Sequence, residues 1–173
     1  MPSKRSPKPY DEAALYDYAI GALARRMHSV AELKRKMRAR CREESTIADV
    51  VARLKDQKYL SDASYAAAYA GFRRDNEKFG PRRVITDLKV KGVHADVIEK
   101  AVTDAYCGVN EEKLALAFLR RKRLKKPSGN KEAGRIFRAL MRAGFGLATA
   151  IKILKNWSVD DELLTAFEEE PES

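Results

Sequence analysis

The middle of the chain decides the fold: residues 59–93 read YLSDASYAAAYAGFRRDNEKFGPRRVITDLKVKGV. The pair Gly80-Pro81 divides this stretch, because proline is favoured in the first turn of a helix and cannot continue a preceding one. Gly92 followed by Val93 predicts the end of the second helix, since glycine adopts the left-handed conformation at little cost and an apolar residue commonly packs after it. The stretch therefore predicts two helices separated by a turn.

The pattern of the second helix recurs on both sides of this stretch. Its frame is a large apolar residue, a second one four positions later and a small residue four positions beyond that. The three copies are Leu33, Met37 and Cys41; Val84, Leu88 and Gly92; and Ile136, Leu140 and Gly144. A period of about 51 residues argues against tetratricopeptide, ankyrin and armadillo repeats, which are shorter. The frame predicts three repeats, and Cys41 in place of glycine predicts a different end for the middle helix of the first copy.

Helix caps complete each repeat to three helices. In the first repeat we predict a helix over residues 11–27, a second that begins at a capping box of Ser29 and Glu32 and runs to about Cys41, and a third after residues 45–46. Two caps are predicted further along the chain. They are Asn130 with Glu132 in the third repeat, and Ser158 with Asp161 before a short tenth helix that carries Val159, Leu163 and Phe167 on one face.

The sequence thus predicts an all-α fold of three tandem three-helix repeats. The predicted division is a basic N-terminus at residues 1–9, repeats at residues 10–60, 61–107 and 108–157, and an acidic tail at residues 158–173. Apolar runs fall far short of the roughly 18 to 20 residues of a membrane-spanning helix, and no signal-like segment follows the N-terminal basic residues. We therefore expect a soluble, cytoplasmic protein with no membrane partner.

Charge is distributed unevenly along the 173 residues. Thirty-five lysines and arginines against 25 aspartates and glutamates leave a net charge of +10, which favours an anionic partner such as nucleic acid. Residues 108–157 hold 13 basic and three acidic side chains, whereas residues 158–173 hold seven acidic and no basic ones. The third repeat is therefore the most basic part of the chain. A strongly acidic tail follows it, and we hypothesise that the tail folds over this repeat and competes with the partner.

Catalytic and metal-binding patterns are missing from the sequence. It has no P-loop, no GxGxxG fingerprint, no HExxH and no GxSxG, so we expect neither an enzyme nor a cofactor. His28 and His94 are interpreted as helix-end residues. Cys41 and Cys107 have no CxxC partner and no histidine at ligand spacing, so we expect two reduced core thiols and no metal site.

The best candidate binding residues lie in the third repeat. Lys131, Arg135, Arg138 and Arg142 follow one another at spacings of four, three and four, which places them on one helix face opposite an apolar face. Such a row is either a solvated face or a set of donors for phosphate or carboxylate. Further candidates are Arg120, Arg121, Arg123, Lys125 and Lys126 on the preceding helix, and then Lys34, Arg35, Arg38, Arg82 and Arg83.

Aromatic residues are interpreted as core rather than as platforms for nucleic-acid bases. Tyr65, Tyr69 and Phe72 have the spacing of a buried helical stripe. Phe118, Phe137 and Phe145 fit core positions likewise, and we expect Trp157 to close the third repeat.

Five motifs, in the same order along the chain, carry a resemblance to a known family. They are SVAELKRKM at 29–37, YLSDASYAAAY at 59–69, FGPRRVITDL at 79–88, KGV at 91–93 and RAGF at 142–145. With them the chain resembles RecX, the bacterial family of regulators of the RecA recombinase. One departure is Lys58, where the family usually carries glycine before the aromatic residue.

The resemblance implies an elongated, curved array of three three-helix repeats that binds in the groove of a RecA filament on DNA. It implies regulation of homologous recombination, DNA repair and the SOS response without catalysis, by limiting ATP hydrolysis, strand exchange and filament growth. The expected partners are the RecA filament and, more weakly, single- or double-stranded DNA, and the chain is expected to be a monomer. Two other functions stay open, a general DNA-binding protein and a helical scaffold.

Overall fold

A computed structural model describes residues 10–169, and within that range the chain forms ten α-helices and no strand. The helices are Glu12–Arg25 (α1), Val30–Arg38 (α2), Glu44–Asp56 (α3), Asp62–Phe72 (α4), Pro81–Val90 (α5), Ala95–Tyr106 (α6), Glu111–Arg121 (α7), Asn130–Arg142 (α8), Leu147–Asn156 (α9) and Asp161–Glu169 (α10). None of these helices is both long and apolar enough to cross a membrane. The predicted all-α class and the predicted tenth helix are confirmed. The predicted basic N-terminus at residues 1–9 lies outside the described residues.

The chain divides into two compact units. One contains the described residues up to 66 together with 88–98, and the other contains residues 67–87 together with the described residues from 99 onward. Helices α4, α5 and α6 therefore each contribute residues to both units.

In the first unit, α1, α2 and α3 enclose one apolar core. Leu15, Leu33, Met37 and Ile47 are fully buried there, and Cys41 is 4% exposed. Burial of such side chains is the main favourable contribution to folding. The core is built from the apolar positions that the helical spacing predicted. The third helix begins at Glu44, two or three residues earlier than predicted.

The start of α2 has the predicted capping box. Ser29 Oγ accepts a hydrogen bond from the Glu32 N–H at 3.0 Å, and the Ser29 N–H donates to Glu32 Oε2 at 3.4 Å. Glu32 is also buried, and Lys91 Nζ and Arg26 Nη1 donate to its carboxylate at 3.2 and 3.3 Å. Burial alone would raise the pKa of Glu32, but Lys91, together with the Ser29 N–H and Arg26, holds this pKa below its usual value.

His28 lies beside this carboxylate and is buried, with its side chain 3% exposed. Its Nδ1 is 3.5 Å from Glu32 Oε2, and within the described part of the chain this nitrogen has no hydrogen-bond partner. Burial, followed by the charge of Arg26, lowers the pKa of His28 despite the opposing effect of Glu32. The histidine is thus a buried group at the N-terminal end of α2, whereas His94 is exposed just before α6.

Glycine ends the middle helix in two of the three copies. Gly92 has φ +74° and Gly144 has φ +86°. The following residues close the turns, because the N–H of Val93 donates to the Leu88 carbonyl and the N–H of Phe145 donates to the Leu140 carbonyl, both at 3.2 Å. The glycine ends predicted for these helices are confirmed.

The first copy ends its middle helix differently, as predicted. Helix α2 ends at Arg38, earlier than the predicted Cys41, and Ala39 keeps a right-handed conformation. The N–H groups of Arg40 and Cys41 both donate to the carbonyl of Met37, at 2.8 and 2.9 Å. This tight turn needs no positive φ, and it places the Cys41 side chain in the core.

In the second unit, α7, α8, α9 and α10 share a core. Its buried members are Leu114, Ala115, Phe118, Leu119, Ile136, Phe137, Leu140, Ala143, Phe145, Ala150, Ile153, Leu154, Leu164 and Phe167. The Phe137 and Phe167 rings stack with centroids 4.4 Å apart, and this stacking fixes α10 against α8. The predicted core positions of Phe118, Phe137 and Phe145 are confirmed, and Trp157 packs partly buried against the same core.

Both of the later cap predictions are wrong. Asn130 is the first helical residue, Gly129 precedes it, and the carboxylate of Glu132 instead accepts hydrogen bonds from Ser128. Ser158 has φ +60° and ends α9, while Asp160 accepts the hydrogen bond that caps α10, from the Glu162 N–H at 2.8 Å. The N-cap of α8 is thus Gly129, which has no side chain to form a cap, whereas α10 is capped by Asp160, two residues after the predicted Ser158.

Two burial predictions are also wrong. Phe72 is 55% exposed, because the buried face of α4 runs through Tyr65, Ala66 and Ala70 and leaves the end of the helix uncovered. Cys107 is exposed at the end of α6, so Cys41 is a core thiol but Cys107 is not.

Helix α4 continues into a π-helical turn, Arg73–Glu77, which the sequence did not predict. Lys78 ends the turn with φ +59°. The N–H of Phe79 then donates to the Arg73 carbonyl at 3.1 Å, and the Tyr106 hydroxyl donates to the Phe79 carbonyl at 2.7 Å. The backbone of Phe79 is thereby fixed. Its ring packs against that of Phe118, with the two ring centroids 6.1 Å apart.

Candidate anion-binding surface

The predicted basic row is present on α8. Lys131, Arg135, Arg138 and Arg142 are all exposed, and a rise of 1.5 Å per residue gives the row a length of about 16 Å. The opposite face of the helix is buried, with Ala133, Gly134, Ile136, Phe137 and Leu140 in the core. The row is therefore held on a helix whose orientation is fixed by packing.

The charge of this row is not neutralised within residues 10–169. Ion pairs there engage other candidates, and none joins a carboxylate to a residue of the row. Glu132 is the acid on α8, and hydrogen bonds from the Ser128 N–H and hydroxyl, with the nearby charge of Arg135, lower its pKa. Its carboxylate is thus engaged with Ser128, and the guanidinium groups remain available to an anion.

Four basic side chains surround an open cleft in the second unit. Arg83 comes from α5, Lys122 follows α7, and Arg135 and Arg142 come from α8. The floor is apolar and consists of Phe79, Phe118, Leu124, Ala139 and Ala143. The cleft has a volume of about 390 Å³, and we refer to these nine residues as the basic cleft.

A second, smaller cleft adjoins the first and shares Leu124 and Arg135 with it. It has a volume of about 220 Å³, and its other residues are Arg123, Lys125, Lys126, Glu132 and Ile136. The prediction placed residues 120–126 on one helix, but α7 ends at Arg121, and Arg123 has φ +56°. The basic segment therefore turns along α8, and the two clefts form one continuous basic surface.

Other candidates are partly neutralised by carboxylates. Arg121 pairs with Glu77 at 3.0 Å, and Arg83 pairs with Asp87 at 3.0 Å. In the first unit, Arg38 donates to both carboxylate oxygens of Glu44, at 2.6 and 3.1 Å. Among the remaining candidates, Arg35, Arg82 and Arg120 are exposed and Lys34 is half-buried.

Sequence reasoning missed part of the basic cleft. Lys122 was left out of the candidate residues, although it lies in the same basic run, and Phe118 was interpreted only as core. The side chains come from α5, α7 and α8, which are far apart in sequence, and Phe79 reaches the cleft through a π-helical turn. Three of its four cations, Arg83, Arg135 and Arg142, were among the predicted candidates, and the basic run at residues 120–126 was the local signal for Lys122.

The C-terminal helix packs beside the basic row. Leu164 and Phe167 of α10 are buried against the core of the second unit. A Cβ atom built on Gly134 would lie 3.3 Å from Arg138 Nη1 and 3.7 Å from Phe167 Cζ. The end of this acidic helix is therefore close to the middle of the basic row.

Comparisons with known proteins agree on one family. The family model described as RecX, first three-helix domain, matches residues 16–54, which fall within α1 to α3. The family model described as RecX, second three-helix domain, matches residues 61–102, from the residue before α4 into α6.

Relatives and a solved structure extend the similarity over most of the chain. Regulatory protein RecX of Pseudomonas putida (strain W619) is 31% identical and matches 83% of this chain and 90% of its own length. Regulatory protein RecX of Thermus thermophilus is 35% identical over 78% of this chain and 86% of its own length. The chain spans about half the length of Regulatory protein RecX of Leuconostoc mesenteroides, which is 33% identical over 76% of this chain and 50% of its own length. The crystal structure of RecX from Lactobacillus salivarius shares the fold, with a TM-score of 0.72 over 86% of this chain and 97% of that chain at 20% identity. On this evidence of sequence and fold, the chain belongs to the RecX family of regulatory proteins.

Proposed function

We propose that this protein regulates the RecA recombinase by binding in the groove of the RecA filament on DNA, where it limits ATP hydrolysis, strand exchange and filament growth. The observation that carries the proposal is the unneutralised basic row on α8, which continues into the basic cleft in a chain of the RecX family. A filament on DNA presents both carboxylates and phosphates, and guanidinium groups bind either through paired hydrogen bonds.

A rigid row suits this role better than scattered charges would. Its four side chains stand on a helix that is fixed by a buried face, so the backbone that carries them loses little conformational freedom on binding. Several contacts of moderate strength on one surface also give a large combined affinity for a repeating partner. The protein acts as a binding regulator in this proposal, without catalytic residues or a cofactor, as a cytoplasmic monomer.

The experiment that tests the proposal is a titration of the protein into a RecA filament on single-stranded DNA at physiological salt, with the rate of ATP hydrolysis as the readout. We expect the rate to fall at or below a stoichiometric ratio, with little binding to bare DNA. An unchanged rate would contradict the proposal and leave the partner of the basic surface to be identified.

A second function, general DNA binding, is favoured by the same row. It predicts tight binding to bare DNA that falls steeply with salt, because each neutralised phosphate releases counterions. Measuring the affinity for a DNA oligonucleotide at several salt concentrations separates it from filament regulation. A helical scaffold, the third function, predicts no response to either partner.

A further inference from the structure

The basic cleft differs from the rest of the basic surface because it has an apolar floor. Solvated arginines on a helix face need no floor, yet here Phe79, Phe118, Leu124, Ala139 and Ala143 line the bottom of the opening. Of these, Phe79, Leu124 and Ala139 are only partly buried. An exposed apolar floor within a ring of cations is typical of a binding site that fixes its ligand by shape and by charge together.

The aromatic rings of the floor are already engaged by the protein. The guanidinium carbons of Arg73 and Arg83 lie 5.4 and 5.9 Å from the centroid of the Phe79 ring. Phe118 is 4% exposed and packs against both Phe79 and Phe145. Base stacking needs a ring face open to the base, so this floor suits an aliphatic or aromatic side chain better than a nucleobase.

The rim carries four cations and, among the described residues that line the cleft, no carboxylate. Asp87 holds Arg83 at 3.0 Å and so fixes the direction of one guanidinium. Arg135 and Arg142 are exposed one on each side of Ala139 along α8. Carboxylates that flank a side chain seated on the floor would meet these guanidinium groups, and such charge-assisted hydrogen bonds are about twice as strong as neutral ones.

We propose that the basic cleft binds an acidic protein segment that inserts one large apolar side chain onto the Phe79, Leu124 and Ala139 floor while its flanking carboxylates pair with Arg135, Arg142 and Lys122. The proposal rests on the proposed function in that the segment belongs to the protein part of the filament rather than to its DNA. The volume of about 390 Å³ is near the lower end of ligand sites, which span about 300 to 1,000 Å³, and suits one side chain with its adjoining backbone.

The first arm of the test uses two synthetic peptides, Ac-DEDFEED-NH2 and Ac-DEDAEED-NH2, and the full chain. Binding is measured by isothermal titration calorimetry at moderate salt. The two peptides have equal charge, and we expect the phenylalanine peptide to bind about tenfold more tightly or better, because anchor residues in desolvated pockets carry most of the binding energy. Equal affinities would overturn the proposal, since charge alone would then account for binding.

Two protein variants locate the anchor. Ala139→Trp fills the floor and leaves every charge in place, so it should abolish the preference for the phenylalanine peptide. Ala52→Trp introduces the same side chain at an exposed position of α3 and should keep that preference. Thermal unfolding checks that both variants fold, and Ala139→Met is the milder filling if Ala139→Trp does not. If a folded variant with a larger side chain at residue 139 still prefers the phenylalanine peptide, the proposal is overturned.

The second arm separates this inference from the proposed function. The same variants are titrated into the RecA filament, with ATP hydrolysis as the readout. Inhibition by the wild type that Ala139→Trp weakens and Ala52→Trp preserves supports both proposals. Equal inhibition by all three proteins overturns the cleft proposal and leaves the proposed function standing. If the wild type does not inhibit, the proposed function is overturned, and the peptide arm still tests the cleft. The binding of a dT20 oligonucleotide is measured as well. If Ala139→Trp abolishes this binding and the phenylalanine peptide does not compete with it, the proposal is overturned in favour of a nucleic-acid site.

Discussion

The backbone N–H of Gly80 donates a hydrogen bond to the carbonyl oxygen of Ala143 at 2.8 Å, so that the start of α5 rests on the end of α8. The N–H of Arg82 donates to the Gly144 carbonyl at 3.2 Å. The first N–H groups of a helix and the last carbonyls of another have no partners within their own helices, and here they satisfy each other. Their opposite partial charges make the contact favourable.

A comparable contact lies within the first unit. There the turn at the end of α5 meets the start of α2: Ser29 Oγ donates to the Lys91 carbonyl at 2.7 Å, and a Cβ atom on Gly92 would lie 2.5 Å from the Ala31 Cβ. The middle helix of one repeat thus meets, through its terminal glycine, the start of the middle helix of the repeat before it. At the corresponding position of the first repeat, Cys41 does not adopt a positive φ.

Gly144→Ala should be strongly destabilising. A Cβ atom at Gly144 would lie 2.1 Å from the Arg83 backbone nitrogen, in addition to the strain of a φ of +86°. Gly108→Ala is the matched control, since Gly108 has φ +69° and open space around its Cβ position. We expect a loss of about 1 kcal/mol in the free energy of unfolding for Gly108→Ala and about 3 kcal/mol or more for Gly144→Ala, measured by urea denaturation. Similar losses for both variants would show that the contact between α5 and α8 does not depend on glycine.

Lys58→Gly should stabilise the protein. Lys58, Gly108 and Ser158 follow α3, α6 and α9, and all three adopt left-handed conformations, with φ of +61°, +69° and +60°. The turn geometry is therefore kept with lysine where the family usually has glycine, at a cost of about 1 kcal/mol for a side chain in this conformation. Lys58→Gly is expected to raise the free energy of unfolding by roughly half to all of that amount.

The control for this change is Lys55→Gly, which makes the same substitution within α3 at an exposed position. Glycine there is expected to lower stability by about 1 kcal/mol, because it adds conformational freedom to the unfolded chain without relieving strain. A destabilising effect of Lys58→Gly would contradict the expected strain relief.

Stability should depend on the protonation of His28. Because burial lowers the pKa of His28 in the folded protein, the unfolded chain binds the proton more readily. The stabilising contribution is therefore complete above the unfolded pKa of about 6.5 and is lost as the pH falls through the lowered folded value. We expect the free energy of unfolding to decrease from pH 7.5 to 5.5, and His28→Leu to reduce this decrease.

His94→Leu is the control for that measurement, since the His94 side chain is 77% exposed. The comparison of the two variants shows whether the change in slope is specific to removal of the buried ring. An unchanged slope in His28→Leu would contradict the assignment of this pH dependence to the buried ring.

Reversal of two charges in the basic row should weaken filament inhibition without unfolding the protein. Arg135→Glu with Arg138→Glu changes exposed side chains that have no carboxylate partner within residues 10–169, so the melting temperature should hardly change. Lys100→Glu with Lys113→Glu alters the net charge equally at exposed positions outside the row and the clefts. For the first double variant, we expect the protein concentration needed to inhibit RecA ATP hydrolysis to rise about tenfold or more. The second double variant should inhibit at the wild-type concentration. A large fall in melting temperature in the first would assign the row to the fold.

Features that depend on neighbouring residues were predictable from the sequence, and features that depend on distant residues were not. The helical period located the core positions Leu33, Val84 and Leu140, and a glycine followed by an apolar residue located two helix ends. The same period placed the basic row on one face. These signals are local because helix geometry fixes which residues share a face.

The basic cleft, in contrast, needs the π-helical turn that delivers Phe79 and the contact that brings Arg83 beside α8. Neither has a local signature in the sequence. The incorrect caps at Asn130 and Ser158 have a related cause, because several residues near each helix start can occupy the N-cap position, and here Gly129 and Asp160 do so. The exposure of Phe72 likewise depends on what covers the end of α4 rather than on its spacing.

The hypothesis that the acidic tail competes with the partner leads to a sharper truncation than removal of residues 158–173. That deletion would take away Leu164 and Phe167, which are 4% and 6% exposed in the core, and loss of a buried phenylalanine alone typically costs about 3 to 5 kcal/mol. A truncation after Phe167 removes only residues 168–173, four of which are glutamates.

Glu168 and Glu169 follow Phe167 at the end of α10, and the Phe167 ring lies close to Gly134 and Arg138, so these two glutamates lie near the basic row. We expect the truncation after Phe167 to tighten binding to the RecA filament severalfold at low salt, and the gain to shrink at high salt because exposed charges are screened. Glu168→Gln with Glu169→Gln should produce part of the same gain without shortening the chain. Unchanged or weaker binding in both variants would mean that the acidic segment does not compete for the row, and Arg138 would then be open to the partner when residues 168–173 are present.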